Sequence, residues 1–205
     1  VRVMGTHRRS GDRKRQEAAK LLRQWSVADF HDRLAAEGIT RAWVVFENGE
    51  FTLSHRALAP LQSFLELSQD FGRHEGLFFG REEGFETVFC AFVHDTRRGL
   101  SQGGLRFQAY DDTAELIVDG LRLARGMTRK NALAGLHWGG GKGILAVTDD
   151  VAPLRKRRSE LTPAEIDRRD ELFKAYGRFV AGLGGVYYTA EDIGTSVEDL
   201  AAVQL

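Results

Sequence analysis

The chain has 205 residues, 42% of them hydrophobic and 28% charged, which is the balance of an ordinary soluble globular protein with one large domain or two small ones. Basic and acidic residues number 29 each, so the formal net charge of +0 gives no field that favours nucleic acid or an anionic membrane. A single cysteine excludes a disulfide framework and a thiolate zinc site. No apolar run has the ~20 residues of a membrane helix, and we expect a cytoplasmic protein without nucleic-acid or membrane partners.

Two features mark the N-terminus. The chain begins at Val1 rather than Met, so we expect a fragment or a processed product. A cluster of basic side chains follows, which we interpret as a solvated tail rather than a nucleic-acid-binding arm. The cluster consists of Arg8, Arg9, Arg13, Lys14 and Arg15.

The next stretch predicts helices and a hairpin without recognisable chemistry. Apolar residues at helical spacing predict one helix from about Gln16 to Leu34. Two short strands between Trp43 and Leu53 flank Asn48-Gly49, a pair that favours a tight hairpin turn. Ser54 is a candidate N-cap for a further helix. The buried side of that helix is predicted to carry Leu58, Leu61, Leu65 and Leu67.

From Gly76 onward, predicted strands alternate with predicted helices. Strand patterns cover residues 87–93, 105–110, 143–147 and 186–189. Helices are predicted to begin at Asp112, Thr162 and Ser196, each followed three positions later by an acidic residue, as in a capping box. The alternation predicts an α/β fold, a mixed sheet with helices packed on it. We divide it into an N-terminal extension of helix, hairpin and helix (residues 1–75) and a second domain (residues 76–205).

The glycine run from Gly139 to Gly143 does not fit a phosphate-binding loop. A P-loop would need glycine at Leu136 and serine or threonine at Gly143. The stretch from Gly141 to Ala146 formally matches G-x-G-x-x-A, but the residues after it are strand-like and do not open a helix. The six histidines show no metal-ligand spacing. We therefore expect no nucleotide site, no cofactor-binding residue and no metal site in this chain.

Four features remain as a candidate site: the paired glycines Gly103-Gly104, two lysines (Lys130 and Lys142) and Asp192. A glycine-lined pocket with two ammonium groups and one carboxylate suits a small zwitterion. One lysine can bind a carboxylate. The pKa of a second lysine, held near the first and out of water, is lowered, so that it can act as a base. Spacing by itself leaves open the alternative of unrelated surface charges and turn glycines.

Four segments resemble one known family. Residues 103–107, 126–132, 139–143 and 189–195 occur in the order and spacing of the glutamate/leucine/phenylalanine/valine dehydrogenases. The match resembles that family's N-terminal substrate-binding and oligomerisation domain, from about Phe79 to the C-terminus. Residues 123–128 and 189–192 are similar to the leucine, phenylalanine and valine branch. The four motifs together are specific, whereas each would be weak by itself.

The resemblance implies a role for each candidate residue. Lys142 would be the catalytic lysine that activates water at an imine, and Asp192 the carboxylate that transfers protons. Lys130 would bind the substrate α-carboxylate. Glutamate enzymes of the family carry a lysine before the paired glycines, and leucine enzymes an apolar residue, whereas this chain has Gln102. Further residues implied to lie at the substrate or its side chain are Gly103, Gly104, Met127 and Ala190.

The implied reaction is the NAD(P)-dependent, reversible oxidative deamination of an L-amino acid to a 2-oxo acid and ammonia. The absence of a charged side chain at Gln102 favours a leucine-like substrate over glutamate. NAD or NADP would be bound by a Rossmann domain absent from this chain, so we expect the chain by itself to be inactive. A homo-oligomer is expected. The alternative is a non-catalytic oligomerisation or amino-acid-binding module that kept the pocket.

Overall fold

Seven strands form one mixed sheet in the computed structural model, which describes residue 13 and residues 16–204. The strands are β1 (Arg41–Glu47), β2 (Glu50–Leu53), β3 (Gly76–Gly80), β4 (Phe89–Asp95), β5 (Ser101–Gln108), β6 (Gly139–Ala146) and β7 (Tyr187–Glu191). Their order is β2-β1-β3-β4-β6-β5-β7. The pairs from β2 to β6 are antiparallel, and β5 runs parallel to both β6 and β7. The predicted mixed α/β sheet is confirmed, while the basic N-terminal cluster, apart from Arg13, lies outside the described residues.

The hairpin and the three later helix starts follow from local sequence. Asn48 and Gly49 have φ of 53° and 89°, the left-handed values that a two-residue hairpin turn needs. The helices are α1 (Val27–Ala36), α2 (Ala59–Leu67), α3 (Thr113–Leu133), α4 (Pro163–Ala181) and α5 (Val197–Val203). Asp112, Thr162 and Ser196 each cap a helix as predicted, by accepting from the backbone N–H three residues on. The reciprocal bond is missing only at Asp112, because Glu115 accepts from the Asp111 N–H instead.

The predicted helix from Gln16 to Leu34 is wrong in its middle. Residues 16–21 are helical, and a separate helix, α1, starts at Val27. Ser26 caps α1 with extended backbone (φ −61°, ψ 168°), and the Asp29 carboxylate accepts from the Ser26 N–H at 2.8 Å. Because a cap residue has non-helical ψ, a continuous helix cannot pass through Ser26.

Ser54 does not cap the next helix. Its hydroxyl oxygen accepts from the Trp43 backbone N–H at 2.8 Å, which ties it to the hairpin. A 3₁₀ turn over Arg56–Leu58 precedes α2, and neither start has a side-chain cap. Three of the four predicted core leucines of this segment are buried, whereas Leu67 is 50% exposed.

Helices cover both faces of the sheet. Helices α1, α2 and α3 pack on one face, where their apolar side chains meet Phe79, Phe92 and Ile144. Helix α4 packs on the other face against Phe107 and Leu145. All eight residues of β6 are buried, so the glycine run is a central strand. The sequence predicted a strand only from residue 143, because a run of glycines has no apolar alternation to reveal it.

The sheet runs across the predicted boundary between residues 75 and 76. β1 of the N-terminal part pairs with β3 of the second part over five residue pairs. Leu34 and Leu61 belong to the same core cluster as Leu116 of α3. The division into an extension and a domain stays a prediction. No helix in the described part of the chain is long and apolar enough to cross a membrane.

Candidate active site

A buried lysine occupies the middle of the sheet. Lys142 lies on β6 opposite Phe92 of β4, and only 4% of the residue is exposed. Burying an ammonium group without a partner is costly, so a counter-charge is required. The counter-charge is Asp192, whose Oδ2 lies 2.5 Å from the Lys142 Nζ. The structure therefore brings together two residues that the sequence places 50 positions apart.

The loop that carries Asp192 is fastened to β5. Asp192 follows the end of β7, and its backbone N–H donates to the Thr195 hydroxyl at 2.9 Å. That hydroxyl lies 3.1 Å from the carbonyl oxygen of Leu105, and the Phe107 N–H donates to the Ile193 carbonyl at 2.9 Å. These bonds hold the loop, and with it the Asp192 carboxylate, at a fixed position relative to β5.

Arg106 joins the pair from the neighbouring strand. Its Nε donates to Asp192 Oδ2 at 2.9 Å, and its Nη1 donates to Asp119 of α3 at 2.9 Å. The Tyr110 hydroxyl donates to the same Asp119 oxygen at 2.8 Å. The sequence indicated Arg106 only as part of a motif and did not indicate Asp119 or Tyr110 as site residues. The available signal was the alternation that puts Arg106 on the face opposite Leu105 and Phe107.

Burial and charge shift the pKa values of the pair in different ways. Burial lowers the pKa of Lys142, and Arg106 lowers it further; this outweighs the opposing effect of Asp192. Burial raises the pKa of Asp192, but the hydrogen bonds from Lys142 and Arg106 outweigh burial and hold the pKa below its usual value. Burial and the neighbouring Asp119 raise the pKa of Tyr110 well above its usual range. Asp192 is thus a firmly ionised carboxylate beside an amine that loses its proton more easily than an ordinary lysine.

Gly103 and Gly104 let three strands approach one another. A Cβ on Gly103 would lie 1.7 Å from the Gly141 carbonyl oxygen. A Cβ on Gly104 would lie 2.7 Å from the Asp192 Cβ, so the Asp192 loop rests directly on this glycine. Ala190 pairs with Gly104 in the β5–β7 register. The predicted residues Gly104, Ala190, Lys142 and Asp192 are therefore neighbours.

The remaining candidates lie near the C-terminal end of α3. Gln102 is half-buried on β5, and its side-chain oxygen is 3.5 Å from Nδ2 of Asn131, which donates to the Gly139 carbonyl at 2.6 Å. Lys130, the residue before Asn131, is exposed, and its side chain forms no hydrogen bond or ion pair with any described residue. Met127 is half-buried on the same helix. No ion pair or hydrogen bond links Lys130 to the Lys142–Asp192 pair within the described residues.

The described residues do not fit a nicotinamide dinucleotide. A pyrophosphate site of the Rossmann type needs a glycine-rich turn that opens a helix, with backbone N–H groups pointing at the phosphates. Here Gly139, Gly140 and Gly141 lie inside β6 and pair with β4 and β5. Nor do any three His, Cys, Asp or Glu side chains of the described residues group closely enough to hold a metal ion.

The fold and the site define an α/β domain that holds a buried lysine–carboxylate pair in a glycine-rich central strand. Residues 81–204 match the sequence model of a family domain described as "Glu/Leu/Phe/Val dehydrogenase, dimerisation domain". The chain belongs to the Glu/Leu/Phe/Val dehydrogenase family. The resemblance drawn from the four sequence segments is thereby confirmed.

Individual relatives are amino-acid dehydrogenases. The chain is 42% identical over 127 residues to leucine dehydrogenase from Bacillus subtilis (strain 168), covering 62% of this chain and 31% of the relative. It is 43% identical over 136 residues to valine dehydrogenase from Streptomyces albus, covering 65% of this chain and 33% of the relative. The solved L-tryptophan dehydrogenase from Nostoc punctiforme superposes with a TM-score of 0.52 at 31% identity, covering 63% of this chain and 34% of that one. The matched region thus spans about a third of each relative.

Proposed function

We propose that this chain is the substrate-binding half of an NAD(P)-dependent amino-acid dehydrogenase, which interconverts an L-amino acid with a 2-oxo acid and ammonia. One observation carries the proposal: the buried contact of Lys142 with Asp192 at 2.5 Å, in a family of amino-acid dehydrogenases. A lysine of lowered pKa beside a fixed carboxylate can exchange protons with a substrate amino group and with the water that adds to an imine carbon. NAD or NADP would be held by residues outside this chain.

The residues of the chain would divide the proton transfers between them. The neutral Lys142 amine would take a proton from the water that attacks the imine carbon, and would return it in the reverse direction. Asp192 would accept a proton from the substrate ammonium group and deliver it to the departing ammonia. The exposed Lys130 would bind the α-carboxylate as a point charge. Gly104 would let the substrate lie close to the strand.

The substrate is proposed to be apolar and leucine-like rather than glutamate. Gln102 carries no charge to pair with a second carboxylate, and Ala190 beside Gly104 is small and apolar. A neutral amide admits several side chains without selecting strongly among them. The leucine and valine dehydrogenases among the relatives support this choice.

Binding by the 205-residue chain tests the proposal without the cofactor. We expect the oxo acids of leucine and valine to bind more tightly than 2-oxoglutarate when each is titrated by calorimetry or NMR. Lys130→Ala should weaken binding by about 10- to 100-fold, the value of one hydrogen bond to a charged group. Lys174→Ala, which removes a partly exposed lysine paired with Glu171 on α4, is the control and should bind as the wild type does. Equal binding by Lys130→Ala and the wild type would refute the assignment.

We further propose that the 205-residue chain has negligible dehydrogenase activity. The described residues do not fit the dinucleotide, so no hydride acceptor would be held at the site. The assay is NADH formation with NAD and L-leucine. A rate comparable to that of a full-length leucine dehydrogenase would contradict the proposal that residues outside this chain hold the cofactor.

Self-association is the remaining part of the proposal. The matched family domain is described as a dimerisation domain, which supports a homo-oligomer. Sedimentation of the 205-residue chain tests this directly. A single monomeric species at micromolar concentration would argue against it.

A further inference from the structure

The two side chains that donate to the Asp192 carboxylate within the described part of the chain donate to the same oxygen. Lys142 Nζ and Arg106 Nε reach Oδ2 at 2.5 Å and 2.9 Å. Two positive groups thus share one anionic atom, and the carboxylate is held in one rotation about its Cβ–Cγ bond. Oδ1 is left on the side away from these two donors. The Asp192 side chain is 27% exposed, and its Oδ1 accepts no hydrogen bond from any described residue, so Oδ1 keeps its capacity to accept one from a ligand.

The second arm of Arg106 extends the contact to α3. Nη1 donates to Asp119, whose same oxygen accepts from the Tyr110 hydroxyl. Four charged side chains from different parts of the fold therefore form one network in which positive and negative groups alternate. They are Lys142 on β6, Asp192 after β7, Arg106 on β5 and Asp119 on α3. The positive members of this network are largely shielded from water, since the side chains of Lys142 and Arg106 are 5% and 16% exposed.

We propose that Arg106 is a positioning residue of this site: it orients Asp192 toward the ligand and, together with Asp119, sets the charge around Lys142. The inference rests on the proposed function, since it assumes that Lys142 works as an amine base. It assigns a role to two residues, Arg106 and Asp119, that act on Lys142 through the Asp192 carboxylate and through their own charges.

Electrostatics gives the two residues opposite effects on Lys142. The charged groups that act on Lys142 are Asp192, Arg106 and Asp119. Strand β4 contributes Phe92 opposite Lys142, and the Tyr187 hydroxyl donates to the Gly103 carbonyl. A guanidinium near an ammonium group disfavours its protonated form, whereas a carboxylate favours it. Arg106 therefore lowers the pKa of Lys142, and Asp119 raises it.

The opposite signs allow a test that loss of structure cannot imitate. The rate of acylation of the Lys142 amine is measured against pH in the 205-residue chain, by mass spectrometry of the peptide that carries it. Only the neutral amine reacts, so the midpoint of the rate profile reports its pKa. We expect Arg106→Gln to move the midpoint upward by about one pH unit and Asp119→Asn to move it downward. Arg106→Lys keeps the positive charge and should stay nearer to the wild type than Arg106→Gln.

Arg106→Gln could unfold the chain, so circular dichroism of each variant accompanies the titration. If Arg106→Gln is unfolded, the test compares the acylation midpoint of Asp119→Asn with that of Arg106→Lys. Only Asp119→Asn should lower the midpoint. If the midpoints of Arg106→Gln and Asp119→Asn shift in the same direction, or if neither midpoint shifts, the inference is overturned. Failure of the proposed function would appear differently, as loss of oxo-acid binding with the midpoints still shifted in opposite directions.

Discussion

At the scale of single residues, Gly104 of β5 differs from Gly126 of α3 in what a methyl group would meet. Gly104→Ala would force its Cβ against the Asp192 Cβ and the Glu191 carbonyl, while Gly126→Ala on α3 meets nothing within 4 Å. We expect Gly104→Ala to cost roughly 1–3 kcal/mol from overpacking. Gly126→Ala should instead stabilise the chain by about 0.5–1 kcal/mol, because alanine is the better helix former.

Urea denaturation of the two variants measures this difference. The same methyl group is added in each case but meets other atoms only at Gly104, so we expect the two changes in stability to have opposite signs. Equal midpoints would show that β7 yields easily and that Gly104 is not needed to seat the Asp192 loop.

His74 makes the stability depend on pH. Its ring is fully buried, with Nε2 2.8 Å from the Leu121 carbonyl oxygen and Nδ1 accepting from the Gly72 N–H. Burial lowers the pKa of His74 from 6.5 to about 3. Between these values the unfolded chain binds a proton that the folded chain does not, so stability is complete above about pH 6.5 and falls as the pH drops toward 3.

We expect this residue to remove about 2 kcal/mol of stability between pH 6.5 and pH 5. His74→Gln can keep a donor for the Leu121 carbonyl but does not titrate. Its free energy of unfolding should be lower at pH 8, through imperfect packing, and should fall less steeply below pH 6.5. Parallel pH profiles for the variant and the wild type would contradict the prediction.

At the scale of elements, one buried arginine ties α4 to α5 and to the Asp192 loop. Arg169 forms a two-bond pair with the fully buried Asp199 of α5, at 2.7 Å and 2.6 Å. Its other N–H groups donate to the carbonyls of Leu154, Lys156 and Gly194. Since Gly194 follows Asp192 by two residues, the pair supports the loop that carries the carboxylate.

Arg169→Met should therefore destabilise the chain by about 3–5 kcal/mol, because the buried Asp199 carboxylate loses both short bonds to the guanidinium and keeps only the Ser196 N–H at 2.8 Å and Arg158 at 3.7 Å. Adding Asp199→Asn should recover part of this loss, since it removes the buried charge that Arg169 neutralised. Lys174→Ala, at an exposed ion pair on α4, should change little. Additive losses in the double variant, measured by urea denaturation, would show that the pair is not coupled.

At the scale of the molecule, the sheet and core extend beyond the family match. The match begins at residue 81, immediately after β3 ends, yet β3 pairs with β4 over five residues. Residues 81–204 by themselves would leave β4 as an edge strand and uncover Phe92 and Ile144. We expect this piece to aggregate and to melt without a cooperative transition, whereas the 205-residue chain is expected to melt cooperatively. A sharp transition in the shorter piece would mean that the two parts fold separately.

Local signals in the sequence predicted most helices and strands. They did not predict which side chains of different elements contact one another. The capping residues Asp112, Thr162 and Ser196 act over three positions, so they are readable without tertiary structure. The helix break at Ser26 was hidden because apolar spacing continues on both sides of it. In the site, Lys142 and Asp192 were named from motifs, but Arg106 pairs with Asp119 only because α3 covers that face of β5. Spacing along the chain does not reveal which helix lies over which strand.

The burial of Lys142 in a central strand has one more consequence. A lysine on a surface rotates about four side-chain bonds, and freezing them costs roughly 2 kcal/mol of conformational entropy. Here the stem is fixed within the sheet and its tip is held by Asp192, so that loss occurs once, when the chain folds. An arriving ligand would meet an amine that is already aimed, and would not have to spend binding energy on immobilising it.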